Sequence, residues 1–325
     1  MRIGPVSLGY VVRKVGWAML TLVFVLAVNF FLFRIMPGDP VALLARSQRL
    51  TPEAMAQQRR LYGLDEPLLQ QFVTYVKETV TGHLGLSLVS GEPVTQVIGG
   101  RIWPTVLLVG TGTIIAVVIG VIAGIKSGWF RGSAFDRGSL YSSLLLYATP
   151  EGWLGMLLLV VFAGTLGWFP SGGISSGNYT GWANVREVLD HMILPVATLS
   201  LAYVGQFLIV MRSSMLEVKD EDYVTVGRAL GLPDRLVRKR RAAPNAFLPS
   251  FTLIVLSFGF VLGGAIVIET VFSWPGLGQL TYRAIESQDY PVLQALFLLT
   301  SAAVIFANLV ADIAYGFLDP RIEEV

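Results

Sequence analysis

Residues 103 to 125 read WPTVLLVGTGTIIAVVIGVIAGI, with no Asp, Glu, Lys or Arg among them. A helix rises about 1.5 Å per residue, so this stretch crosses the roughly 30 Å of hydrocarbon in a bilayer. A helix on the surface of a soluble domain would carry a charged face over that length, and this one has none. Gly112, Ala116, Gly120, Gly124 and Gly128 recur at every fourth position, which leaves one side of the helix without bulk for roughly 24 Å. A second helix can approach its backbone closely there. Such a stripe serves either as static contact within a bundle or as a surface that slides during a conformational cycle. Gly259, Gly263 and Gly264 form a shorter patch of the same kind.

The rest of the chain agrees with a membrane setting. Its 325 residues are 54% apolar and 14% charged, against roughly 45 to 50% and about 25% in a soluble domain. Five more stretches are long and apolar enough to span: approximately Val15 to Met36, Leu140 to Leu166, Ile193 to Met211, Phe247 to Ile268 and Pro291 to Tyr315. Helices are expected throughout, because an open strand in lipid leaves its backbone groups unpaired at several kcal/mol each. The first span reads as an uncleaved anchor, since its apolar run is too long for a signal peptide and no small-residue cleavage site follows. The fold expected is an all-α, multi-pass integral membrane protein with six transmembrane helices. With no cysteine and two histidines, disulfides, thiolate metal sites and cysteine nucleophiles are excluded. No metal site or catalytic residue is expected, and a net charge of +2 offers nothing to nucleic acid.

Lys and Arg in short loops favour the cytoplasm. Arg2, Arg13 and Lys14 precede the first span, Lys126, Arg131 and Arg137 follow the second, and eight lie between Arg212 and Arg241. The short loops of the other side hold only Arg186 and Arg283. Both termini are therefore expected in the cytoplasm. Long segments translocate largely regardless of charge, so the basic residues of the first external segment do not oppose this. The chain divides into a tail and first span (1–36), an external, partly helical segment (37–102) and a five-helix core (103–325) containing a cytoplasmic loop (212–249). In the external segment, Thr51-Pro52-Glu53 and Asp65 read as helix starts. After Asp65, Leu68, Leu69, Phe72, Val73, Val76 and Val80 form one apolar face that ends at Gly82. That face packs on the membrane domain or meets an external partner.

Ionisable groups at membrane depth cost several kcal/mol unless paired or wetted. Glu151, after the kink-prone Pro150, and Glu269, at the end of the fifth span, are candidates for the translocation path or gate. Asp312 reads as a structural partner of a neighbouring helix near the cytoplasmic end. His83 and His191 have no visible partner and read as incidental.

The most informative loop, residues 212 to 249, reads RSSMLEVKDEDYVTVGRALGLPDRLVRKRRAAPNAFLP. Asp220, Glu221 and Asp222 suit the start of a short helix and Arg228 its last turn, both complementing the helix dipole. Gly231 permits a left-handed stop and Pro233 prevents simple continuation. A second helix carries Arg235, Arg238, Lys239, Arg240 and Arg241, a cluster that also suits anionic lipid headgroups.

The strings Asp222-Tyr223-Val224, Arg228-Ala229-Leu230-Gly231-Leu232 and Asn245-Ala246-Phe247-Leu248-Pro249 resemble the cytoplasmic signature of dipeptide and oligopeptide ABC-importer permeases. Other strings similar to that family occur in the same order over nearly the whole chain. They are Pro37-Gly38-Asp39-Pro40, Gly63-Leu64-Asp65-Glu66-Pro67-Leu68, Gly82-His83-Leu84-Gly85, Glu269-Thr270-Val271-Phe272, Pro275-Gly276-Leu277-Gly278, Asp289-Tyr290-Pro291 and Leu318-Asp319-Pro320-Arg321. The long first external loop resembles the B-type member of the heterodimer. The chain departs from the family's usual residues at Gly227, often alanine, and at Leu230, often lysine.

The resemblance implies a permease subunit of a prokaryotic inner membrane that forms the path with a homologous second permease, docks two cytoplasmic ATPases through Asp222, Tyr223, Arg228, Ala229, Leu230, Gly231 and Leu232, and receives cargo from an external binding protein. It implies a di- or oligopeptide moving inward, with nickel or another small solute as the alternative. No GxxxxGKS/T phosphate loop occurs, so the chain is expected to be no enzyme and to hold no cofactor, with ATP and Mg on the partner ATPases. An ion-coupled secondary transporter is the rival from another class, but no internal repeat supports it. An intramembrane hydrolase lacks its nucleophile, base or metal ligands.

Overall fold

The computed structural model describes residues 2, 3, 6–35, 51, 53 and 66–318. Three family-like strings, Pro37 to Pro40, Gly63 to Asp65 and Asp319 to Arg321, lie outside these. So does the expected helix start at Asp65, and of the one at Thr51-Pro52-Glu53 only Thr51 and Glu53 are described.

Helix α1 (Leu8–Ile35) is preceded by a two-residue antiparallel pairing of β1 (Arg2–Ile3) with β2 (Val6–Ser7). It starts well before Val15, since Tyr10 and Lys14 lie along the last turns of the final helix. After it comes α2 (Leu68–Val80), capped by Pro67 and ended by Gly82 at φ +81°. The left-handed φ is the reason a glycine stands there. Phe72 and Tyr75 of α2 meet Phe30 and Phe31 of α1, and the Asn29 amide donates to the Tyr75 hydroxyl at 3.1 Å. One side of α2 thus packs on the spans, while Leu69, Val73 and Val80 remain exposed.

Helix α3 (Val94–Trp129) begins earlier than Trp103 and contains a π turn at Val106–Gly110 after Pro104, whose missing amide interrupts the regular ladder. Next come α4 (Ala134–Ala148) and α5 (Glu151–Thr165), bent by 100° from each other. The third span is therefore broken at the kink-prone Pro150, by far more than a kink. Thr149 is extended, as a residue before proline prefers, and Pro150 then starts a new helix. Helix α6 (Gly181–Lys219) follows, then α7 (Asp222–Ala229), α8 (Asp234–Val261), α9 (Ile266–Val271), α10 (Leu277–Glu286) and α11 (Tyr290–Leu318). Among the described residues, five continuous helices and the bent pair are long and apolar enough to cross a membrane.

The glycine stripe of α3 lies against the parallel α6 along its whole length. Gly112 faces Leu199, Gly120 faces Phe207, Gly124 faces Met211 and Gly128 faces Met215. Gly259 and Gly263 of the fifth-span region face Ala307 and Thr300 of α11 in the same way. Gly264 does not belong to that patch: its φ of +71° turns the chain out of α8, and its backbone meets Gly278.

Lys14 of α1 and Asp312 of α11 form a 2.9 Å ion pair, as a structural reading of Asp312 anticipates. The Tyr10 hydroxyl donates to the Asp312 carbonyl at 3.0 Å. The beginning of α1 and the end of α11 thus share one face of the bundle. Because α8 runs antiparallel to α11, with Gly259 beside Ala307 and Gly263 beside Thr300, the 219–243 region lies at that same face.

Candidate functional site

The short helix of the basic loop forms as its sequence implies. Glu221 is the extended residue before α7, Asp222 and Arg228 occupy its first and last turns, and Gly231 follows at φ +75°. Leu230 lies between helix and glycine, and the Leu232 amide closes back on the Gly227 carbonyl at 3.3 Å. Val224 is fully buried and Gly227 is buried beside Val237. On the other side Tyr223, Val226 and Leu230 are 36%, 54% and 73% exposed. They recur at three and four residues, so an apolar stripe faces outward on a helix whose underside is already satisfied. Burial and the Glu221 carboxylate push the Tyr223 phenol above its usual range, with Asn245 acting the other way. Tyr223 thereby links the first signature string to the last.

The seat of this helix is Trp129, at the end of the glycine-striped α3. Its indole nitrogen donates to Asp234 Oδ2 at 2.6 Å, and its carbonyl accepts from Lys219 Nζ at 2.8 Å. The Arg228 guanidinium lies 5.0 Å from the indole centroid and 3.4 Å from Asp234. A cation over an indole face is worth roughly 0.5–1 kcal/mol when exposed and more when dry. Around the indole, Met211, Met215, Val224, Val237, Ala242 and Ala246 make one buried cluster. A displacement of α7 therefore reaches α3, α6 and α8 together.

The residue reading missed Trp129. It missed Asp136 as well, whose carboxylate accepts from Arg212 Nε at 2.7 Å, Arg212 Nη2 at 3.1 Å, the Gly132 amide at 2.8 Å and the Ser127 hydroxyl. Its sequence signal is that Asp136 is the one acidic residue between Arg101 and Glu151, set among Lys126, Arg131 and Arg137. Arg212, counted from sequence as a loop cation, is a mostly buried ion-pair partner within α6.

The two carboxylates proposed for the path differ. Glu269 is wholly buried, accepting from the Thr105 hydroxyl at 2.9 Å and the Gln279 amide at 3.0 Å. Thr105 in turn accepts from the Leu277 amide at 2.6 Å. Glu269 thus satisfies the first amides of α10, and Gly276 is required because any Cβ there would strike both Glu269 and Thr105. Glu269 is thus enclosed by protein where α9 and α10 pack together. Glu151 is half-exposed at the α4–α5 bend, its Oε2 3.4 Å from the Tyr203 hydroxyl of α6.

The scattered family-like strings meet in pairs. Glu269 reaches the turn of Gly276 and Gly278, while Asp289 accepts from the Ser87 hydroxyl and, at 3.1 Å, the Leu88 amide. That holds the loop after Gly85, which itself has φ +82°.

Gly227 gives a direct test of the seat. A Cβ added there would sit 3.6 Å from the nearest atom of Val237, an ordinary contact. Alanine exceeds glycine in helix preference by about 1 kcal/mol, so Gly227→Ala should firm up α7 without displacing it. Amide exchange over residues 222–230 should slow by about fivefold in the variant. Unchanged or faster exchange would show that α7 is seated differently.

A family model described as the binding-protein-dependent transport system inner membrane component matches residues 83–324. The N-terminal model of such membrane components matches residues 7–108. The chain is 40% identical over 320 residues to the glutathione transport system permease protein GsiC of Escherichia coli, a span of 97% of this chain and 99% of that protein. The proteins of the same name from Shigella dysenteriae and Shigella boydii are 40% and 39% identical over the same shares. With both models covering the spans, the seated loop helix and the paired turns, the chain belongs to the binding-protein-dependent transport system inner membrane components, the multi-pass permease subunits of ABC importers.

Proposed function

We propose that this permease imports di- or oligopeptides, forming the path with a homologous second permease and drawing on two cytoplasmic ATPases that hold the ATP and Mg. The observation that carries the coupling half is α7: its underside is fixed on Trp129 and Val237 while Tyr223, Val226 and Leu230 face outward. A rigid short helix with an unpaired apolar stripe suits the groove of a partner and can transmit that partner's two positions to the spans. Asp222, Arg228, Ala229, Gly231 and Leu232 set its ends and its stop. On this reading the face bearing α7 and the chain ends is cytoplasmic, and an external binding protein delivers cargo to the other. The three-part division of the chain then separates tail and first span, external segment and transport core. The relatives' cargo, glutathione, is itself a small peptide and supports a peptide here over nickel or another solute.

Gly231→Val tests the coupling. At φ +75° a β-branched residue costs very roughly 1–2 kcal/mol, enough to misplace α7 but not to unseat spans that pack elsewhere. The variant should insert at near-normal levels, lose ATP-driven peptide uptake in proteoliposomes and retain less ATPase in a gentle-detergent pull-down. Normal uptake would remove α7 from the mechanism. Uptake that needs an ion gradient and no ATPase would favour the secondary-transporter reading instead.

A further inference from the structure

Glu151 differs from other carboxylates set within the spans or at their ends. Asp136 is ion-paired to Arg212, Asp312 to Lys14, and Glu269 is satisfied by Thr105 and Gln279. Among the described residues, Glu151 has no Lys, Arg or His within 4.0 Å, and its hydrogen bond from Tyr203 is long at 3.4 Å. Its depth follows from the helices that hold it. Tyr203 precedes Arg212 by about 14 Å of helix, and α4 carries the chain about 20 Å onward from Asp136. The Arg212–Asp136 pair lies toward the face bearing the chain ends, so Glu151 sits near the middle of a hydrocarbon layer of roughly 30 Å. A carboxylate at that depth without a cation is costly unless it meets water or a charged ligand.

Local structure presents this group instead of hiding it. The bend at Thr149 and Pro150 puts Glu151 at the start of α5, and Tyr203 beside it is 37% exposed. Behind the bend, Gly152 and Gly155 approach Val267 and Phe272 so closely that α5 is fixed on its far side. One carboxylate and one phenol are too few oxygen ligands for a divalent cation, which takes six or more. They suit an ammonium group, which can donate to both the carboxylate and the phenol oxygen.

We propose that Glu151, positioned by Tyr203, is a mid-membrane subsite for the α-ammonium group of the passing peptide. This deepens the peptide-importer reading and rests on it. An α-ammonium is shared by every unblocked peptide whatever its side chains, so one fixed carboxylate can serve a sequence-tolerant path.

The test uses the complete transporter in proteoliposomes, with saturating loaded binding protein and two cargoes, an unblocked dipeptide and its N-acetyl form. In Glu151→Gln the ratio of unblocked to N-acetyl uptake rate should fall about tenfold from its wild-type value. Equal loss for both cargoes, or no change in the ratio, would overturn the subsite. A second arm exploits the absence of native cysteine. Glu151→Cys should regain uptake of the unblocked dipeptide after reaction with a sulfonate-bearing methanethiosulfonate and not with a trimethylammonium-bearing one. Equal effects, or no reaction in any nucleotide state, would also overturn it. This arm decides the matter if the binding protein rejects the N-acetyl cargo. If the wild-type transporter moves neither peptide, the peptide reading itself falls and takes the subsite with it.

Discussion

Arg212→Ala is expected to destabilise this permease by about 3–5 kcal/mol, because it strands Asp136 as a buried charge. Asp136 is 3% exposed and accepts from four donors, two of them on Arg212. Those donors come from α3, the turn after it and α6, while Asp136 itself opens α4. The carboxylate therefore joins three elements at the face where the chain ends lie. Without the guanidinium, Ser127 and the Gly132 amide can still donate, but neither supplies positive charge. The purified variant should melt well below the parent and accumulate poorly in the membrane. Asp136→Asn combined with Arg212→Gln keeps hydrogen-bonding capacity and removes both charges, so it should recover much of the loss. A single Arg212→Ala variant with parental thermal stability would show that the pair contributes little. A double variant as poor as the single one would show that the charge itself is not the issue.

The second large effect is expected at the α3–α6 seam. A Cβ at Gly124 would lie 2.7 Å from Met211 Cβ and 2.8 Å from the Leu208 carbonyl oxygen. At Gly120 it would lie 2.7 Å from Phe207 Cβ and 2.8 Å from the Val204 carbonyl oxygen. These obstacles include backbone atoms, which cannot rotate away as a side chain can, so the helices must separate. Overfilling a close contact commonly costs about 1–3 kcal/mol, and separation here also forfeits dispersion contacts along the stripe. Without a hydrophobic force between helices in lipid, close contact is what holds such a pair together. Gly124→Val should therefore cost about 3 kcal/mol and leave little folded protein after detergent extraction. Gly110→Ala is the control, since nothing lies within 4 Å of a Cβ there. Equal stability of the two variants would remove the seam as a source of stability. Because every glycine of the stripe faces one partner, its role as interhelical contact is already plain in the fold.

Much of this architecture is written locally. Long charge-free runs make helices in lipid because nothing else satisfies their backbones, and the four-residue stripe marks a close approach on one side. The stop at Gly231 was legible for the same reason, since a left-handed turn between an amphipathic helix and a proline needs a glycine. Sequence could also mark Pro150 as a break in the third span. What it could not supply is the 100° angle, which depends on how closely Gly152 and Gly155 let α5 approach Val267 and Phe272. Nor could it say that Trp129 and Asp234, or Asp136 and Arg212, are partners, because their separation along the chain carries no periodic signal. Glu269 shows the limit most clearly. Its place at the end of an apolar run marks it as a costly carboxylate, but only the fold shows that Thr105 and the Gln279 amide satisfy it and that it caps α10. Sequence thus determined which segments cross the membrane and which short helix stands apart, because those depend on residues a turn or two away. Tertiary structure alone decided which polar groups meet a charged partner and which, like Glu151, meet only a hydroxyl, because that depends on which distant atoms converge.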